Sequence, residues 1–165
     1  MAELTNLEAK LGEVIGLAMA AQDSTKKVSR LAKREGHEDL VKTLQTMAEE
    51  AAQAERGATA IAEGIEGKKT AILREARSVK TKAREMMSTY LDRDADALDG
   101  FEFLTMAEAS EVGHWSVLDK LNQKARHAQL AALIEQQVPI QQRHLRDTME
   151  GSLELAADED PNEAS

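Results

Sequence analysis

The sequence predicts an all-α protein with one main domain, and three observations carry that prediction. Alanine, glutamate, lysine and leucine are abundant, whereas aromatic residues make up only 2% of the chain and there are two prolines. This usage favours helices over sheets. Apolar residues recur at alternating three- and four-residue steps over long stretches, which is the helical period. Glycine- and aspartate-rich breaks separate those stretches. At 165 residues the chain is long enough to bury a core without covalent staples.

The first helix is predicted from about Thr5 to Arg34, with Leu4, Leu7, Leu11, Val14, Ala18, Ala21, Thr25 and Val28 as its inner stripe, and Gly36 ends it. The second, from about Glu38 to Gly64, continues the rhythm through Leu40, Leu44, Met47, Ala51, Ala54, Ala58 and Ile61. The short connection between them favours an antiparallel hairpin. After "EGIEGKKT", a third helical segment carries Ile72, Ala76, Val79, Ala83, Met86 and Tyr90 on one side and mixed charge on the other. "LDRDADALDG" breaks it. A fourth helix opens near Asp99 and runs through Phe103, Leu104, Leu118 and Leu121. A fifth starts near Arg126, with Leu130, Leu133, Ile134, Ile140 and Leu145, and its interior Pro139 is expected to kink or loosen it. Two long hairpins joined by a helix-containing crossover correspond to the ferritin-like antiparallel four-helix bundle. The bundle is expected over residues 1–156, followed by an acidic disordered tail over 157–165.

Composition excludes several functions. With no cysteine there is neither a disulfide frame nor a thiol nucleophile. A formal net charge of −9 argues against a nucleic-acid partner. No apolar run has membrane-spanning length, and the N-terminus lacks a basic segment followed by an apolar one, so a cytoplasmic protein is expected. No phosphate loop or Ser-His-Asp set appears. "GIEGKKT" lacks both the Walker spacing and a preceding strand. His37 and His127, in turns, are expected to be exposed. Trp115 and the methionines are expected to fill the core, and the basic run from Lys68 to Arg84 is read as a solvated face.

Polar residues on the inner faces are the informative exception. At roughly 100° per residue, Leu104, Ala107, Glu111, Trp115 and Leu118 share one stripe, with His114 one step to its side. On the fifth helix Gln137, Gln141, His144 and Thr148 occupy the middle of the apolar face. Gln22 lies on the first helix's stripe, and Glu50 flanks the second's. Burying an unpaired carboxylate is costly. Such a cluster has two economical solutions: a cation held by carboxylates and imidazoles, or a closed hydrogen-bond network with a protonated histidine.

Glu111-x-x-His114 resembles one of the paired Glu-x-x-His motifs of di-iron carboxylate bundles, and Gln141-x-x-His144 resembles the second with its glutamate amidated. "RLAKREGHEDL" (residues 30–40), "LQTMAEEAAQAER" (44–56) and "MAEASEVGHWSVLDKL" (106–121) are similar to segments of the bacterial stress-associated ferritin-like family of the YciE/YciF type, over nearly the whole chain. The resemblance implies a metal site with Glu50, Glu111, His114 and His144 as ligands and Gln141 as a weak ligand or hydrogen-bond donor. Iron is the implied metal, with manganese or zinc as substitutes, and the chemistry would be redox handling of iron with oxygen or peroxide. A homodimer is the assembly expected for the chain, and in the competing reading below the protein acts through dimerisation or a partner protein. Two positions depart from the pattern: Ala21 and Gln22 stand where the first helix should supply a carboxylate, and Gln141 replaces a glutamate. The expected centre is therefore reduced or vestigial. The competing expectation is a non-catalytic stress or interaction module with a metal-free polar core.

Overall fold

Five helices account for most of the chain in the computed structural model, which describes residues 3–163. They are α1 (Asn6–Arg34), α2 (Glu38–Glu63), α3 (Lys69–Tyr90), α4 (Ala97–Ala125) and α5 (Ala128–Ala157), and no strand occurs among the described residues. Met1, Ala2, Ala164 and Ser165, which belong to the predicted bundle and tail, lie outside those residues. No helix is long and apolar enough to cross a membrane.

Side-chain caps define the starts of α1, α4 and α5. Thr5 accepts from the Glu8 amide while Glu8 accepts from the Thr5 amide, so two otherwise orphaned donors are satisfied reciprocally. Asp96 and Asp99 repeat the device at α4. Helix α4 therefore begins two residues before Asp99, the predicted start. Helix α5 begins at Ala128 rather than Arg126, because Arg126 adopts a left-handed conformation with φ 59°. Asn122 holds this turn, its side chain clasping both the amide and the carbonyl of His127 at 3.1 Å. His127 is not exposed as expected but half-buried, and its Nδ1 caps α5 by accepting from the Leu130 amide at 3.2 Å. His37 is likewise half-buried. Helix α5 runs unbroken through Pro139, which sits on its exposed side.

Contacts along the helices fix their directions. Helices α1 and α2 pack as a hairpin, as do α4 and α5. Helix α3 runs parallel to α1: Gly12 faces Ile72 and Glu75, Gly16 faces Ala76 and Val79, and Asp23 meets Lys80 and Arg84. Helix α4 returns antiparallel to α1, with Gly100 against Val28 and His114 beside Glu13. Helix α5 lies against both α4 and α2.

Two apolar clusters form the core. One contains Leu11, Val14, Ile15, Ala58, Ile72, Trp115, Leu118 and Ile134; the other contains Val28, Leu31, Leu44, Met47, Phe101, Leu104 and Leu155. Between them lies a polar midsection, where Thr25, Glu108, Glu111, Gln137, Gln141, His144 and Thr148 are all at most 3% exposed. Trp115 and Met47 fill core space as expected, but Met86, Met106 and Met149 are exposed. Met149 lies on an exposed side of α5, whereas Met86 and Met106 stand at the mouth of a groove between α1, α3 and α4.

Candidate functional site

The midsection is built from side chains of four helices. Helix α5 supplies Gln137, Gln141, His144 and Thr148 at steps of four, three and four residues, which places them on one face. Helix α4 supplies Glu108 and Glu111, three residues apart on its inner side. Glu50 enters from the flank of α2. Helix α1 contributes Thr25, whose hydroxyl donates back to the Ala21 carbonyl at 2.6 Å, and Gln22, whose amide donates to Ala18 O and to Glu55 on α2.

His144 is the centre of this layer. Its Nε2 lies 2.6 Å from Glu50 Oε2, and its Nδ1 lies 3.6 Å from Glu108 Oε2. The first distance is a short, charge-assisted hydrogen bond; the second is an ion-pair separation too long for one. Arg143 donates to both Glu50 oxygens at 2.6 Å. Burial opposes charge on the imidazole, but the carboxylates of Glu108 and Glu50 outweigh it, and the pKa of His144 is held above its ordinary value. Burial likewise opposes charge on Glu50, yet Arg143 and His144 together hold its pKa below the usual glutamate value.

Glu111 is set apart from this ion-pair group. It is 3% exposed and makes no hydrogen bond among the described residues. Burial first, and the neighbouring Glu108 charge second, push its carboxyl well above the ordinary glutamate range. It lines the inner wall of a groove between α1, α3 and α4.

The sequence-predicted residues thus divide into separate groups. Glu50 and His144 are brought together. Gln141 is buried on the same face of α5, and its Oε1 has no partner. His114 belongs elsewhere: it is about one-third exposed and its Nδ1 lies 2.9 Å from Glu13 on α1. Lys10 is bonded to the same Glu13 carboxylate and stands 3.3 Å from the ring. Glu108, Arg143, Glu13 and Lys10 are the residues that sequence reasoning missed. Glu108 lies four residues after Leu104 and three before Glu111, so the helical period itself places it on the inner face.

These groups do not fit a metal. The two nitrogens of His144 face two different carboxylates on opposite sides of the ring, so the three side chains bracket the imidazole instead of converging. The guanidinium of Arg143 already occupies both oxygens of Glu50, and its positive charge opposes a cation there. Among the described residues, no group of three or more histidine, aspartate or glutamate side chains is arranged to hold a metal ion.

The protonation pattern predicts how stability varies with pH. Folded Glu111 keeps a proton that the unfolded chain releases above its ordinary value of 4.5. Stability therefore falls as pH rises through the interval between that value and its raised folded value. The contribution of His144 has the same sign: it is complete below the ordinary imidazole value of 6.5 and lost as pH rises through the raised folded value. That of Glu50 has the opposite sign, present above 4.5 and lost as pH falls through its depressed folded value. Glu111→Gln keeps the shape of the neutral acid and removes its titration. Its melting temperature should exceed the wild-type value by more at about pH 8 than at about pH 5. An equal difference at both pH values in paired thermal melts would show that Glu111 is not buried in its acid form.

In comparisons with known proteins, the chain matches no family model, no curated protein and no solved structure.

Proposed function

We propose that the chain is a ferritin-like antiparallel four-helix bundle, formed by α1, α2, α4 and α5 with α3 as the crossover. In this reading it is a non-catalytic stress or interaction module whose polar midsection is a metal-free ion-pair network. The helix order and directions support the architecture, since a pair of hairpins joined by a long crossover is the layout of that class. The observation that carries the functional reading is His144, bracketed by Glu50 and Glu108 with Arg143 closing the outer side of Glu50. A charged imidazole between two carboxylates is internally compensated. It specifies the packing of α5 against α2 and α4 and leaves no open coordination position.

One observation favours a second reading, a reduced metal centre handling iron with oxygen or peroxide. Glu108 Oε2, Trp115 Nε1, Gln137 Oε1 and Gln141 Oε1 are buried side-chain atoms without a hydrogen-bond partner, and such atoms normally find one. This second reading requires Arg143 to swing off Glu50 and His144 to turn its ring.

Metal analysis of protein purified without chelators, together with melts in iron, manganese or zinc, separates the two. The proposed reading expects less than about one-tenth of an equivalent of metal and no change in melting temperature. A bound equivalent accompanied by stabilisation of about 3 kcal/mol at a hundredfold excess over Kd would overturn it in favour of the metal centre.

A further inference from the structure

The seam between α1 and α3 changes character along its length. At Gly12 and Gly16 the two helices touch backbone to backbone: a Cβ on Gly12 would come within 2.8 Å of the Ile72 carbonyl oxygen. Beyond Gly16 the same helices, with α4 beneath them, enclose a groove. Its first stretch is apolar, walled by Leu17, Met86, Met87, Phe103 and Met106, and encloses about 110 Å³. Its second stretch is broader, about 540 Å³, and is bordered by Lys26, Lys27, Arg30 and Arg84. Asp23, Arg84 and Met87 line both stretches, so the two are continuous.

The charge of this second stretch runs against the rest of the molecule. The chain carries a net −9, yet four cations gather here beside one carboxylate, Asp23. Asp23 is engaged by both Lys80 and Arg84, at 3.4 and 3.1 Å, and Lys27 donates to the Leu91 carbonyl. Lys26 and Arg30 are exposed and have no acidic partner among the described residues. The apolar stretch is equally incomplete, since Met86 is 48% and Met106 37% exposed at its mouth. Methionine walls adapt readily to an irregular apolar guest.

We propose that this groove binds a monomeric, single-chain amphiphile with an anionic headgroup. Its alkyl chain would lie among Leu17, Met86, Met87, Phe103 and Met106, and its head among Lys26, Arg30 and Arg84. Size favours one chain over two: 110 Å³ takes on the order of four methylene-sized groups at a water's share of about 30 Å³ each, so part of a single alkyl chain fills it and the rest lies along the open mouth. Charge favours an anion, because Lys26 and Arg30 gain a partner without displacing one. Glu111 is buried on the inner wall of this stretch, where burial and the neighbouring Glu108 charge favour its neutral form. The site is distinct from the His144 network and does not depend on the reading proposed for it.

Titration calorimetry with sodium decanoate below its micelle concentration is the test, with decyl phosphate, decanol, inorganic phosphate and anionic phospholipid vesicles as parallel arms. Saturable one-to-one binding of decanoate or decyl phosphate is expected, at least roughly tenfold tighter than decanol, with none for inorganic phosphate. The surface double variant Lys26→Glu/Arg30→Glu should weaken binding by about tenfold or more while melting like the wild type. Ala83→Trp, at a half-buried wall position, should block the chain. Absence of saturable binding, equal affinity for decanol, or binding indifferent to the double variant would overturn the proposal. Association with vesicles in preference to monomeric decanoate would replace it with a membrane-surface role.

Discussion

Replacing His144 with alanine is expected to destabilise the protein by about 3–5 kcal/mol, the range for removing one partner from a buried charge pair. Two losses combine. Glu108, which is 1% exposed, would keep a buried carboxylate with no cation facing it, and the emptied ring volume would leave a cavity in a layer bounded by close-packed side chains. Glu50 would suffer less, because Arg143 still holds both of its oxygens. For a chain of this size each kcal/mol moves the melting temperature by about 2–4 °C, so a fall of roughly 6–20 °C is expected at neutral pH. His144→Gln, which retains a donor, should cost less. A loss under about 1 kcal/mol in urea titrations of the alanine variant would mean that the network contributes little to folding.

Gly16→Ala should also destabilise, although helix propensity alone predicts the reverse. Alanine in place of glycine in an exposed helix gains about 1 kcal/mol. Here the added methyl would be driven into the Ala76 carbonyl and to within 2.8 Å of Val79 Cβ. A backbone carbonyl in a helix cannot rotate away, so α3 itself must shift, and overpacking of this kind costs about 1–3 kcal/mol. The packing penalty should win. Hydrogen exchange offers a local readout: amides of α3 should lose protection while those of α4 and α5 keep theirs. A variant as stable as the wild type or more so, with α3 protection unchanged, would show that the two helices are not held at this separation.

Helix number, length and most termini were legible in the sequence because they depend on local rules. Thr5, Gly36 and the apolar rhythm act within a few residues of themselves. The start of α5 was misread because histidine is an uncommon cap, and because Arg126 takes up a left-handed conformation that glycine normally supplies. The candidate site was half legible. The burial of Glu111, Gln141 and His144 follows from helical phase alone. Their partners do not: His114 pairs with a residue 101 positions earlier and His144 with one 94 positions earlier. Phase can place a side chain on an inner face, but it carries no information about which side chain on another helix lies opposite. That is why His114 was grouped with Glu111, its neighbour in sequence, when in space it belongs with Glu13. The exposure of Met86 and Met106 was missed for a related reason. Both are apolar residues at plausible phases, but they stand at the mouth of the groove between α1, α3 and α4, which no further element closes.

The division of the core into two apolar clusters has a consequence for how the chain can be cut. Each cluster draws on both hairpins: the first takes side chains from all five helices, and the second from α1, α2, α4, α5 and the segment before α4. Neither hairpin therefore possesses a core of its own, and a fragment ending between α2 and α4 would expose both sets of apolar residues at once. The molecule has two ends but no halves. An intact hairpin displaced from its own chain could complete its burial only against the complementary hairpin of another copy.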